Sequence, residues 1–302
     1  MRHFNTVLGK IPKNEVGTAL THEHICCYSE YLYQMAGSRY LDKTKLLEAA
    51  AEYLKTMKER YGLSTFVDCT AVNIGRDIEL LKEVSRRTGV HIICSTGFYY
   101  TEETLFANLA TEPIAEAMIE DAGKVNAGVI KCAVEQEKLT PFHEKILRAT
   151  AMAQRVLKIP IVLHTNAKNR NGKRALEILL SEGVKAPAIT VGHLSDTEDY
   201  EYVKQILRYG CYIGLDRLYG HTDEEYIRRK VESIMEYRGS GYEDRILLSH
   251  DALFFNGFEA EPDINPKPRF AYCFEAILPR LPKAAAEKIM KENPAGMLAC
   301  GE

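Results

Sequence analysis

Six residues able to hold metal ions are spread over most of the chain. His22 and His24 lie in Thr21-His22-Glu23-His24, followed by Lys131, His164, His193 and Asp251. The first pair follows Gly17-Thr18-Ala19-Leu20, which reads as a short apolar strand. Residues two apart on a strand face the same side, so both imidazoles reach one ion, and imidazole is a common zinc ligand. Taken alone, two histidines at this spacing also fit a surface pair, and the other four residues decide between the readings. Lys131 sits in Ala127-Gly128-Val129-Ile130-Lys131-Cys132-Ala133, where an ammonium without a partner is costly. Two states relieve that cost. One is an ion pair with a rim carboxylate such as Asp251. The other is a carbamate formed with CO2, whose oxygens bridge two metals.

These residues need a frame, and the chain supplies a repeating one. A strand leads into His22, and apolar residues at helical spacing predict a helix over 45–60, stopped by Gly62. Strands then follow at 64–70, 90–96, 127–133, 159–164, 188–193, 211–216 and 245–251. Helices alternate with them at 76–87, 113–124, 141–158, 172–182, 197–209 and 223–238, and a last helical region runs from about 270 to the end. Segments 25–43 and 97–109 read as long loops, which inside a compact domain are usually functional. Short, apolar, β-branched strands suit a sheet buried on both faces, and strict alternation implies parallel pairing. Eight such units make an α/β protein of the (β/α)8 TIM barrel class, with 1–302 as a single domain. On this map all six residues fall at C-terminal strand ends, the rim where barrel enzymes build their sites. The set is expected to hold two divalent metal ions.

Composition narrows the partners. The chain has 302 residues, 46% hydrophobic and 27% charged, and its net charge of -3 gives no reason to expect nucleic acid or an acidic membrane. Its eight cysteines form no CxxC pair, which favours free thiols in a reducing cytosol. Met1-Arg2-His3-Phe4-Asn5 lacks an apolar signal core, and no stretch is apolar enough to span a bilayer. A cytoplasmic protein acting on a small molecule is expected.

Several further stretches carry a resemblance: Gly75-Arg76-Asp77, Ser95-Thr96-Gly97-Phe98-Tyr99, Pro160-Ile161-Val162-Leu163-His164-Thr165, Val191-Gly192-His193-Leu194, Gly214-Leu215-Asp216-Arg217, Leu248-Ser249-His250-Asp251-Ala252 and Glu292-Asn293-Pro294-Ala295. With the two runs around His22 and Lys131, they make nearly the whole chain resemble the phosphotriesterase family of the amidohydrolase superfamily, in its lactonase branch. The resemblance implies His22, His24 and Asp251 on one metal and His164 and His193 on the other. It implies zinc, with manganese, cobalt or iron as alternatives, and an N6-carboxylated Lys131 bridging the pair together with a hydroxide. It also implies Asp251 as proton shuttle, its second carboxylate oxygen free, with Tyr99 and Arg217 touching substrate or steadying charge. Relatives form homodimers, and the resemblance leaves the same pairing open here.

Two loops bear on the substrate. The loop after strand 8, Leu253-Phe254-Phe255-Asn256-Gly257-Phe258 and on to Pro268, could form an apolar lid, with Phe254 and Phe255 expected to bind substrate. Lys168 and Arg170, with Lys173 and Arg174, could hold an anion such as a sugar-lactone phosphate, although such a run also fits a solvated helix start. Paraoxon-type hydrolases of the family use tryptophan in the leaving-group pocket, and this chain has none. A lactonase with side activity on phosphotriesters is therefore the first expectation. A dedicated organophosphate hydrolase, a deaminase-type or amide-cleaving barrel and a catalytically silent metal-binding protein are the alternatives. His250, next to Asp251, should face the outer helices. His91 and His143 read as structural, and His221 as a distant candidate for substrate contact.

Overall fold

A computed structural model describes residues 3–218 and 221–300; residues 301 and 302, the end of the expected last helical region, lie outside the described residues. Eight strands pair in sequence order, all parallel: β1 (Thr18–Glu23), β2 (Leu63–Asp68), β3 (His91–Gly97), β4 (Val129–Ala133), β5 (Ile161–His164), β6 (Ile189–Val191), β7 (Tyr212–Leu215) and β8 (Ile246–Leu248). Between them run α1 (Lys43–Tyr61), α2 (Ile78–Thr88), α3 (Thr111–Val125), α4 (Pro141–Leu157), α5 (Asn171–Ser181), α6 (Tyr200–Leu207) and α7 (Glu224–Gly239). The architecture is a (β/α)8 TIM barrel. Local sequence sets the helix ends. Asp42 accepts hydrogen bonds from the first amides of α1, and Gly62 ends it at φ 68°, a conformation that glycine adopts without strain. Thr140 and His143 form a reciprocal cap at the start of α4, which gives the buried His143 a structural task.

Alternate residues on each strand build two cores. Ala19, Val67, Ile93, Val129, Val162 and Leu247 fill the barrel interior, while Leu20, Phe66, Ile92, Ile130 and Leu163 pack outward against the helices. An antiparallel hairpin (His3–Thr6 with Gly9–Pro12) closes the barrel floor, where Asn5 Nδ2 donates to Ala127 O at 2.9 Å. Among the described residues no helix is long and apolar enough to cross a membrane, and all eight cysteines are unpaired.

The seam between β8 and β1 is closed by side chains. Ser249 Oγ accepts from Thr21 N at 2.7 Å and from His22 N at 3.0 Å. Glu23, fully buried, accepts from His250 N at 2.8 Å and Ala252 N at 3.0 Å, and meets His250 Nδ1 at 2.7 Å. His250 Nε2 accepts from Cys273 N at 3.1 Å, so the ring faces the outer helical region, as expected. Removing the Ser249 hydroxyl strands two buried amides, so Ser249→Ala should lower unfolding free energy by about 1–3 kcal/mol in a denaturant titration. An unchanged midpoint would show the seam holding without it.

Segment 25–43 is more ordered than a loop. Cys26–Cys27 pairs in parallel with Phe255–Asn256, tying it to the segment after β8, and Glu30–Ala36 is a helix capped by Ser29. That helix buries no residue, and its Tyr31, Leu32 and Met35 are exposed, so its apolar residues mark no core-facing side in the sequence. A short helical turn, Thr104–Ala107, interrupts the loop after β3. β6 and β8 end at Val191 and Leu248, short of the predicted ends, and beyond them His193 (φ 64°) and Asp251 (φ 51°) lie in the left-handed region. Such backbone is rare outside glycine and concentrates at functional sites.

Candidate metal centre

The barrel rim brings the six residues together. His22, His24, Lys131, His164 and His193 are buried, and Asp251 is partly so. Asp251 Oδ1 lies 3.1 Å from His24 Nε2 and 3.7 Å from His22 Nε2. His164 Nδ1 faces His193 Nε2 at 2.7 Å. Ligand atoms of His22, His193 and Asp251 lie within 4.8 Å of one another. Lys131, 1% exposed, points inward, and its amine meets His22 Nε2 at 2.6 Å. Among the described residues that amine forms no ion pair, so the pairing with Asp251 left open by the sequence is not made.

Each imidazole is oriented through its far nitrogen. Asp216, ending β7, accepts from His193 Nδ1 at 2.8 Å and from His193 N at 2.7 Å, and its other oxygen sits 2.7 Å from His22 Nδ1. Thr70 Oγ1 donates to Cys26 O and meets His24 Nδ1 at 2.9 Å, accepting from it. Glu135 Oε2 lies 3.0 Å from His164 Nε2. Burial works to raise the Asp216 carboxyl, but the His193 and His22 imidazoles outweigh it and hold the group well below the usual carboxylate range. Burial, then the Lys131 ammonium, pushes His22 down to about 3. Burial and His193 lower His164 as well. Both rings are therefore neutral, the form that ligates a metal.

This donor set suits cations. With their far nitrogens on carboxylates, His164 Nδ1 and His193 Nε2 turn two lone pairs toward each other at 2.7 Å. His22 Nδ1 and Asp216 Oδ2 are close but poorly aligned, and both are buried without a hydrogen bond. A shared cation removes the first conflict. Four imidazoles and a carboxylate match zinc and its first-row neighbours.

A cavity of about 490 Å³ opens over the cluster, walled by Cys27, Ile74, Tyr99, Tyr100, Leu253 and Phe258 among others. The Tyr99 ring stands 5.1 Å from that of His164. Burial, then the neighbouring Tyr100, raises its phenol far above the ordinary range, so it stays a proton donor. Arg217 differs from expectation in one respect. Its Nε donates to Asp251 Oδ2 at 3.0 Å and its Nη1 to Asp196 at 2.8 Å, so the second oxygen of Asp251 is not free.

The expected substrate-loop residues lie elsewhere. Arg170 pairs with Asp199 and covers the Tyr202 ring, and Lys168 is exposed outside the cavity. Phe254 packs against Tyr53 and Phe270, and Phe255 against Tyr40, so both are core residues. Leu253 and Phe258, beside them in sequence, face the cavity instead. The His221 ring lies 4.4 Å from that of Tyr226, tilted by 47°, and does not line the cavity. Sequence reasoning passed over Asp216, although an acid at the end of β7 satisfied the same rim criterion as Asp251. Glu135 and Thr70 carried no comparable signal.

The chain matches the model of the phosphotriesterase family over residues 2–298. It is 33% identical to an aryldialkylphosphatase of Saccharolobus solfataricus, over 94% of this chain and 95% of that protein. It is 30% identical to a phosphotriesterase homology protein of Mycobacterium tuberculosis, over 93% and 91%, and 29% identical to the human N-acetyltaurine hydrolase, over 82% and 83%. With that agreement along nearly its full length, the chain belongs to the phosphotriesterase family and is a hydrolytic enzyme.

Proposed function

We propose that this enzyme is a lactonase working with two divalent metal ions, zinc first among them. His22, His24 and Asp251 would hold one ion, His164 and His193 the other, and an N6-carboxylated Lys131 would join them. The observation that carries the reading is the convergence of these six side chains under one partly apolar cavity. When bound, such an ion pair acidifies a shared water and polarises the scissile carbonyl.

The chain's own groups do the rest. Asp251 Oδ2 takes the proton released as the tetrahedral centre forms, using a lone pair that Arg217 leaves open. Arg217, anchored on Asp196, aims that carboxylate. Tyr99 donates a hydrogen bond to the substrate's oxygen, and Ile74, Leu253 and Phe258 receive its apolar part. Free cysteines suit a cytoplasmic enzyme.

The relatives named for N-acetyltaurine favour a second reading, amide hydrolysis. Taurine carries a sulfonate, whereas Arg217 is already engaged by two carboxylates, so the neutral lactone is preferred. Enzyme reconstituted with zinc should be assayed on aliphatic lactones, an aryl phosphotriester and N-acetyltaurine. Lactones should lead in kcat/KM by at least about tenfold, a difference of roughly 1.4 kcal/mol at the transition state. If N-acetyltaurine leads, the substrate class falls while the metal reading stands.

A further inference from the structure

His164 takes its orienting carboxylate from a rim loop. Its Nε2 meets Glu135 Oε2 at 3.0 Å, and Glu135, from the loop after β4, is 34% exposed. The comparable partner of His193, Asp216, is 1% exposed at a strand end. Glu135 is itself held by asparagines of the loop after β5. Asn166 Nδ2 donates to Glu135 Oε1 at 2.7 Å, and Asn169 Nδ2 to Glu135 O at 2.9 Å. Asn171 Nδ2 donates to Val134 O at 3.2 Å and Gln136 O at 3.0 Å, on either side of it. Asn171 Oδ1 in turn accepts from Asn166 N at 2.9 Å. The asparagines thus fix one carboxylate, and that carboxylate fixes one ring.

We propose that Glu135 is a positioning residue for the metal centre: it holds His164 in the tautomer that turns Nδ1 toward the second metal position, and Asn166 holds Glu135. The inference rests on the two-metal reading given under Proposed function. An Nε2–H donated to a carboxylate leaves Nδ1 with its lone pair and makes it a stronger donor. Without Glu135 the ring is free to turn or to change tautomer, and the ion that needs Nδ1 is held less tightly. Because Glu135 is partly exposed on a loop, its loss should spare the fold.

The test compares wild type with Glu135→Ala, Glu135→Gln and Asn166→Ala, with the exposed Glu137→Gln as control. Each metal-free protein is loaded with cobalt. Affinities are read by competition with a coloured chelator, the ligand field by visible absorbance and the fold by circular dichroism. Glu135→Ala should weaken one of the two ions by about 10–100-fold and leave the other unchanged, with an altered absorbance band. Glu135→Gln and Asn166→Ala should move the same way by less, and Glu137→Gln should match wild type. Two ions in wild type with unchanged affinities in Glu135→Ala and Asn166→Ala would overturn this inference alone. Fewer than two ions in wild type would overturn the two-metal reading, and this inference with it.

Discussion

Asp251→Asn should lower kcat by about 10²–10⁴-fold on every substrate the enzyme accepts, the range of a general acid–base contribution. The substitution keeps the size of the side chain and its Oδ1, which faces His24 at 3.1 Å and His22 at 3.7 Å. What it removes is the negative charge and an oxygen able to take a proton. Arg217 reports on the same change: it donates to Asp251 Oδ2 at 3.0 Å, and an amide nitrogen there would face a donor. Arg217 would keep its bond to Asp196. Metal content must be measured beside kcat, because Asp251 is also a proposed ligand. Loss of turnover with both ions retained assigns the effect to proton transfer. Loss of one ion assigns it to ligation. If every activity survives unchanged with both ions held, Asp251 is not the proton acceptor and that role passes to another group at the rim.

The parts of this site legible in the sequence share one property. His22, His24, His164, His193 and Asp251 terminate strands whose apolar, β-branched runs stand out from the helices between them. Counting strands therefore places these residues on one rim from the sequence alone. What was not legible depends on contacts between distant segments. Glu135 reaches His164 from the loop after the neighbouring strand, and nothing in Val134-Glu135-Gln136-Glu137 separates it from an ordinary solvated acid. Phe254 and Phe255 looked like a lid because loop aromatics often line pockets. Their burial against Tyr53, Phe270 and Tyr40 follows from the pairing of Phe255–Asn256 with Cys26–Cys27, a contact across more than two hundred residues. The charge on Arg217 was legible, but its restraint by Asp196 and Asp251 was not. Backbone geometry is the last such feature. His193 and Asp251 leave their strands through positive φ, a conformation that neither residue type announces.

Lys131→Met should abolish hydrolysis while leaving the metal-free protein as stable as wild type, or more so. Lys131 is 1% exposed, and its amine meets the imidazole of His22 rather than a carboxylate. One hydrogen bond to a neutral imidazole offsets only part of the desolvation of a buried ammonium in that position. Methionine fills nearly the same volume without a charge. Where buried charges give way to apolar residues of similar size, stability is unchanged or rises by about 1–4 kcal/mol, whereas a buried ion pair that loses one partner costs about 3–5 kcal/mol. Denaturant unfolding in the presence of a chelator separates these outcomes. A structural lysine predicts the large loss. A lysine kept for its chemistry predicts none, together with a metal content below two ions and no turnover. The carbamate adds a prediction of its own: native mass spectrometry of the loaded wild type should show the mass of one CO2, absent from Lys131→Met. Lys131→Ala, which leaves space beside His22, should then regain part of its activity with a short aliphatic carboxylate supplied in solution. A Lys131→Met enzyme that still binds two ions and turns over would remove the bridging role.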